Sequence, residues 1–535
     1  MGRYSWAFVL TIFFVGFSWA QTDRYMVFFK DKLNTPYSVD EPAQYLSERA
    51  IERRLRQGIA ITESDLPVSI DYVSQLTALG VDVYFKTKWM NGVLVQTSAA
   101  KIAEVEGLPF VSSTELVGPG AVLTQTRTLP VASAFREVND SGTLNTNLQL
   151  SMLGIDEMHA ENFRGEGIVI AVMDGGFFGV NTSEVFEPIF ADNRIVGARD
   201  FVQNSYDPYQ YSTHGTAVLS CIGGLFNETL KSGAPEASFI LLVTEEVATE
   251  YRIEEYNWLF GAEYADSLGA DIINTSLGYT EFDLTAMNYT YDDLDGQTTI
   301  VTRASEMAFD KGMLLVTSAG NSGNSRWQFI SAPADGENVL AVGALTPSLT
   351  KASFSSIGPS ADERVKPDVV ALGQEVVVFS SDQYHLSSGT SFSAPLVSGL
   401  AAGLWQANPD WTNRELLEAL RQSGSNFGNP SDTWGYGIPN FRLEGAEIVL
   451  SSADEITDIQ AYPNPIGNGN LTLAIPGTER FQQLRIYDLK GNHLHSQPIA
   501  QQGDQEIEMK DLPNGLYILT LEGNERSRVI KIIKN

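Results

Sequence analysis

Five short apolar, β-rich runs punctuate the middle of this 535-residue chain: IVIAVMD, FILLVT, ADIINTSL, MLLVTSAG and VLAVGAL. Between several of them apolar positions recur at helical spacing, as in YNWLFGAEYADSLG and ASEMAFDKG. Continuously apolar strands that alternate with helices predict an α/β unit. Its doubly wound, mainly parallel sheet would be flanked by helices on both faces. The pattern runs over residues 148–450. In such sheets ligands bind at the carboxyl ends of the strands.

The flanks are patterned differently. Residues 21–139 predict a small α+β unit. YMVFF reads as a strand, and PAQYLSERAIERRLRQG as a helix closed by Gly58. SIDYVSQLTALG and SAAKIAEVEG read as further helices, and VDVYFKTKW and VLVQT flank the hairpin signal Asn91-Gly92. From Val117 to Asn147 the chain is rich in Gly, Thr, Ser and Asn without periodicity, so a linker to about residue 147 is expected. Residues 456–535 carry short alternating runs such as LTLAI, QLRIYD, EIEM, LYILTL and RVIKII, separated by Gly/Asn turns. They predict a small antiparallel β-sandwich. At the other end, Arg3, the apolar run WAFVLTIFFVGF and Ser18-Trp19-Ala20 read as a cleavable signal peptide over residues 1–20.

Composition narrows the function classes. Hydrophobic residues make up 43% of the chain, enough for packed cores. The net charge is −31, of which −27 falls between residues 140 and 447. Such a surface repels nucleic acid and anionic membranes, so neither is expected as a partner. No segment after residue 20 is apolar for long enough to span a bilayer, so no transmembrane anchor is expected in the mature chain. The single cysteine, Cys221, excludes an intramolecular disulfide and reads as packing on an apolar helix face. Five histidines (159, 214, 385, 493 and 495) and that one cysteine argue against a zinc site. The acidic run Tyr291–Gly296 invites a calcium reading. Aligned on its Gly, however, it lacks the oxygen ligand at Tyr291 and the Glu at Thr302 that an EF-hand loop needs, so no metal site is assigned.

Four residues stand where chemistry would need them. Asp174 ends the run IVIAVMD and is followed by two glycines that allow a sharp turn. A carboxylate there could orient a histidine. His214 opens the helix HGTAVLSCIGG, whose apolar face fixes it, with Ser212 or Thr213 available as a cap. Ser391 opens a helix that is apolar nearly all round, so hydroxyl and free backbone N–H would be presented together. Asn321 ends MLLVTSAGN and offers an amide to a developing oxyanion. Each alone also fits a plain structural role: a turn, a core histidine, an N-cap.

In order, AVMDGG, STHGTAV, NTSLG, TSAGNSG and SSGTSFSAP resemble the motif series of the subtilases, the subtilisin-like serine peptidases. The resemblance implies that Asp174, His214 and Ser391 are a catalytic triad and that Asn321 and Ser391 make the oxyanion hole. It further implies that Ser276-Leu277-Gly278 pairs with substrate backbone beside a pocket walled by Ala319-Gly320. Two positions depart from the usual pattern: Gly175 stands where the family has Ser or Thr, and Phe392 where it often has Met. By placement, residues 21–139 resemble a subtilase propeptide. AYPNPIGNGNLTLAI, LRIYDLKGN and LPNGLYILTL resemble the C-terminal sorting domain of type IX secretion substrates. The implied protein is a serine endopeptidase made as a precursor, secreted or attached to the bacterial cell surface. Its implied partners are protein or peptide substrates and the type IX machinery, and a monomer is expected. Subtilases need no cofactor, and many hold structural Ca2+. The alternative is a surface-displayed binding protein that keeps a peptidase-like fold without turnover.

Overall fold

The structure is a computed structural model. It describes residues 22–120, 136–137, 146–227, 229–442 and, between 460 and 534, all but 463–465, 467–469, 476–480, 489–492, 500–502, 511 and 523–526. The expected signal peptide, most of the expected linker and several of the C-terminal turns lie outside the described residues.

Seven parallel strands form the central sheet: β1 (Val169–Asp174), β2 (Ile195–Asp200), β3 (Ser238–Val243), β4 (Ile272–Thr275), β5 (Leu314–Ser318), β6 (Val339–Leu345) and β7 (Val369–Leu372). Their spatial order is β7-β6-β5-β4-β1-β3-β2. β1 is buried at every position, which is why its run is apolar without alternation. Two helix pairs pack on the sheet: α1 (His214–Ile222) with α4 (Thr390–Ala407), and α2 (Ile253–Leu268) with α3 (Ile300–Asp310). The expected strands β1, β3, β4, β5 and β6 all form. The sequence reading missed β2 and β7, and also a hairpin, Val376–Ser380 with Gln383–Ser387, to which Arg136–Glu137 adds a third strand.

The N-terminal unit is an antiparallel sheet in the order Asp82–Thr87, Gly92–Thr97, Asp23–Phe29 and Val111–Gly118, with three helices. The helix expected over residues 42–58 is shorter. It starts at Glu48, where the Ser47 hydroxyl accepts the Ala50 N–H at 3.2 Å, and it stops at Gly58 with φ +69°. The expected linker does not begin at Val117, because Val111–Gly118 completes the sheet against Asp23–Phe29.

This unit docks on α2 through buried charges. Asp266 of α2 meets Arg53 Nη2 at 2.6 Å, Arg54 Nη2 at 2.9 Å and Lys88 Nζ at 3.0 Å. Asp65 answers from the N-terminal side, 3.0 Å from Lys311 Nζ. Glu263 accepts the backbone N–H of Lys88 at 2.9 Å and of Trp89 at 3.1 Å. Arg53, Arg54 and Asp266 are all essentially inaccessible to solvent.

The C-terminal unit comprises two antiparallel sheets of three and four strands. Their inward residues, among them Leu473, Ile486 and Leu519, share one apolar cluster.

Candidate active site

The carboxyl ends of β1, β4 and β5 and the starts of α1 and α4 meet in one cleft. Asp174 closes β1 and is fully buried. Its Oδ1 takes the Gly175 N–H at 2.7 Å, and its two oxygens lie 2.9 and 2.8 Å from His214 Nδ1. A proton on Nδ1 is thereby held by the carboxylate, leaving Nε2 with its lone pair. Burial alone would lower the pKa of His214, but the charge of Asp174 and its hydrogen bond outweigh burial and raise it.

Local sequence explains this approach. His214 is the first residue of α1, and its N–H donates to the Ser212 hydroxyl at 3.1 Å. The next residue must be Gly215. A Cβ there would sit 2.5 Å from the Gly176 carbonyl oxygen and 2.9 Å from Asp174 Cβ, forcing β1 and α1 apart.

Ser391 lies in the first turn of α4, 8% exposed. Its hydroxyl donates to the Ser276 carbonyl oxygen at 3.3 Å, and the Ser276 hydroxyl donates to the Ser391 carbonyl oxygen at 2.9 Å. The residue after it, Phe392, brings its ring centroid 5.8 Å from that of His214. The structure therefore brings the start of the Ser391 helix against His214 through Phe392, with the Ser391 hydroxyl parked on the Ser276 carbonyl.

Asn321 follows β5. Its Oδ1 accepts both the Thr390 N–H at 2.9 Å and the Thr390 hydroxyl at 3.0 Å. Because the oxygen is claimed twice, the amide orientation is set by its network, and Nδ2 is left as a free donor in the cleft. Thr390 was not singled out from the sequence. The signal was present only as the residue before Ser391 in a Gly-Thr-Ser turn. Its hydroxyl also accepts the Gly320 N–H at 3.2 Å, tying the Ser391 helix to the end of β5.

Beyond β4 the chain emerges progressively: Ser276 is buried, Leu277 half-buried and Gly278 exposed. Ala319 is buried and Gly320 half-buried on the neighbouring strand end. Both segments border Ser331, whose Oγ would lie 2.1 Å from a Cβ at Gly278 and 3.0 Å from one at Gly320. The acidic run 291–296 is spent on its own backbone. Asp293 accepts from Thr290, and Asp295 from Gln297 and Thr298.

Residues 165–437 match the model of the Subtilase family. Residues 24–129 match the peptidase S8 propeptide domain of Bacteroidota, and residues 460–535 the secretion system C-terminal sorting domain. Subtilisin NAT of Bacillus subtilis subsp. natto is 30% identical over 296 residues, which cover 54% of this chain and 69% of that protein. Serine protease AprX of Bacillus subtilis (strain 168) is 30% identical over 322 residues, covering 54% and 66%. Subtilisin of Bacillus pumilus is 28% identical over 295 residues, covering 54% and 95%.

Proposed function

Because the chain belongs to the subtilase family, we propose that Asp174, His214 and Ser391 are its catalytic triad and that Asn321 Nδ2 and the Ser391 N–H form its oxyanion hole. The protein is a subtilisin-like serine endopeptidase, made as a precursor with an N-terminal propeptide and secreted by means of a C-terminal sorting domain. Subtilases typically need no cofactor, although calcium binding is common among them. No helix among the described residues is long and apolar enough to cross a membrane.

The steps follow from the positions of the groups. The Ser391 hydroxyl swings from the Ser276 carbonyl to His214 Nε2, which takes its proton as Oγ attacks the scissile carbonyl carbon. Asp174 stabilises the resulting imidazolium. The negative oxygen of the tetrahedral intermediate is met by Asn321 Nδ2 and the unpaired N–H at the start of α4. His214 then gives its proton to the leaving amine, and water repeats the cycle on the acyl-enzyme. Ser276–Gly278 would pair with the substrate backbone, opposite the wall made by Ala319 and Gly320.

The observation that supports this reading most is the fully buried carboxylate on His214 Nδ1 at 2.8 Å, beside the start of the Ser391 helix. Ser391→Ala should abolish casein hydrolysis and fluorophosphonate labelling. In subtilisin itself the loss of the serine costs about a millionfold in turnover. Hydrolysis undiminished in purified Ser391→Ala protein would overturn the assignment. The base must be neutral to accept a proton, so kcat/KM should rise with pH through a pKa above the ordinary histidine value. Asp174→Asn should move that limb down and cut turnover on the order of 10^4-fold, read from pH–rate profiles.

The proposed division of the chain is signal peptide 1–20, propeptide 21–139 with a linker to about 147, peptidase domain 148–450 and sorting domain 456–535. The proposed partner of the last is the type IX machinery, and the proposed mature form is a monomer.

A further inference from the structure

After β3 the chain runs through residues 244–252 before α2 begins. Three glutamates meet across this loop: Glu245 just past the strand, Glu250 within the loop and Glu254 in the first turn of α2. One carboxylate oxygen from each lies within 4.8 Å of the others. Glu254 is 1% exposed, and neither of its oxygens has a hydrogen-bond partner. Glu245 accepts from the Tyr279 hydroxyl and, at 3.4 Å, from the Thr244 hydroxyl. Among the described residues no lysine, arginine or histidine forms an ion pair with any of the three.

Buried carboxylates are kept only when paired, protonated or bound to a cation. Pairing is absent. A protonated Glu254 could donate to Glu245, but that leaves the converging charges of Glu245 and Glu250 uncompensated. The oxygens converge on one another, which suits a positive ion between them. The donors are all hard oxygens, so zinc, copper and other metals that favour nitrogen or sulfur fit poorly. Three carboxylates that can each bind through one or two oxygens match the six to eight ligands and loose geometry of Ca2+ better than the strict octahedron of Mg2+.

We propose that Glu245, Glu250 and Glu254 bind one Ca2+ ion that clamps the loop of residues 244–252 to the start of α2. The loop borders the turn that follows Asp174. A Cβ on Gly175 would lie 2.9 Å from Val247 Cγ2 and 3.7 Å from Glu245 Cβ. The ion therefore braces the wall behind Asp174, at the position where the usual Ser or Thr is replaced by glycine. The assignment does not depend on the triad, because neither readout below needs turnover.

The test uses the full-length chain carrying Ser391→Ala, which prevents self-digestion. After chelation it is titrated with CaCl2 by calorimetry and with Tb3+ by luminescence excited through tyrosine. The parent should bind one equivalent of Ca2+ more than either Glu254→Gln or Glu250→Gln. Tyr279, in contact with Glu245, should sensitise Tb3+, and Tyr279→Phe should lose much of that emission. Chelator should lower the Tm of the parent and leave that of Glu254→Gln nearly unchanged. Glu250→Gln lies in the half-buried loop and keeps the comparison usable if Glu254→Gln fails to fold. Equal Ca2+ stoichiometry in the parent and the folded variants would overturn the proposal. So would a chelator-induced Tm shift of the same size in all of them.

Discussion

Helix α2 carries buried acid at both ends, and the two ends are solved in opposite ways. At its C-terminal end Asp266 is fully buried and touches Arg53, Arg54 and Lys88, all supplied by the propeptide. At its N-terminal end Glu254 is equally buried and meets Glu245 and Glu250. Burial works to raise the pKa of Asp266, but Lys88 with the two guanidinium groups holds it well below the usual carboxylate range. Burial and the neighbouring carboxylates push Glu254 well above that range. A carboxylate at the same depth thus marks different relationships. The first end is completed by a segment that maturation removes, and the second lies wholly within the peptidase unit and keeps its need for a cation.

The comparison predicts where the precursor is strong. Asp266→Asn in the Ser391→Ala precursor strands buried Arg53 and Lys88 at the propeptide interface and leaves Arg54 with Asp65 alone. It should cost about 3–5 kcal/mol of precursor stability, read from urea unfolding, and reduce the yield of processed enzyme in the Ser391 background. An unchanged midpoint would mean that the cluster at Asp266 is no more than packing. Lys88→Met removes one of three partners and leaves the carboxylate with two. A smaller loss, about 1.5–3 kcal/mol, is expected in the same assay. The pH effect is smaller still near neutrality. A carboxylate with a depressed folded pKa contributes stability that is present above its unfolded value, near 4, and is lost as pH falls through the folded value. Precursor stability should therefore lose less than about 0.5 kcal/mol from this group between pH 7 and pH 4, and fall steeply below. In Asp266→Asn that acid-side contribution should be absent, which stability measured against pH would reveal.

Much of this was legible in the sequence, for physical reasons that can be named. Strands buried on both faces announce themselves by unbroken apolar runs, so β1 and β6 were read from composition alone. β2, with the sequence IVGARD, lies at the sheet edge, where one side is open and charge is tolerated. It therefore lacks that mark. Val111–Gly118 goes unread as a strand, and its last two residues fall in the expected linker, because VSSTELVG pairs along one edge only and keeps its polar side chains toward solvent. Asp174, His214, Ser391 and Asn321 were visible as residues at strand ends and helix starts. Thr390 was not, since its role is to hold another side chain through a contact 69 positions away. Nor were the glutamates of EEVATEYRIEE, because only the turn into α2 brings three of its carboxylates together.

Oxidants find little to attack beside Ser391. A methionine after Ser391 would expose a thioether to peroxide, and its sulfoxide would push polarity and bulk into the cleft. Phe392 puts a hydrocarbon ring against His214 instead. The lone thiol, Cys221, is buried, and burial pushes its pKa up to about 12, so the reactive thiolate is scarce at neutral pH. A protein secreted or held at the cell surface, beyond the reach of intracellular reductants, thus carries Ser391, the proposed nucleophile, next to a side chain that peroxide leaves unchanged.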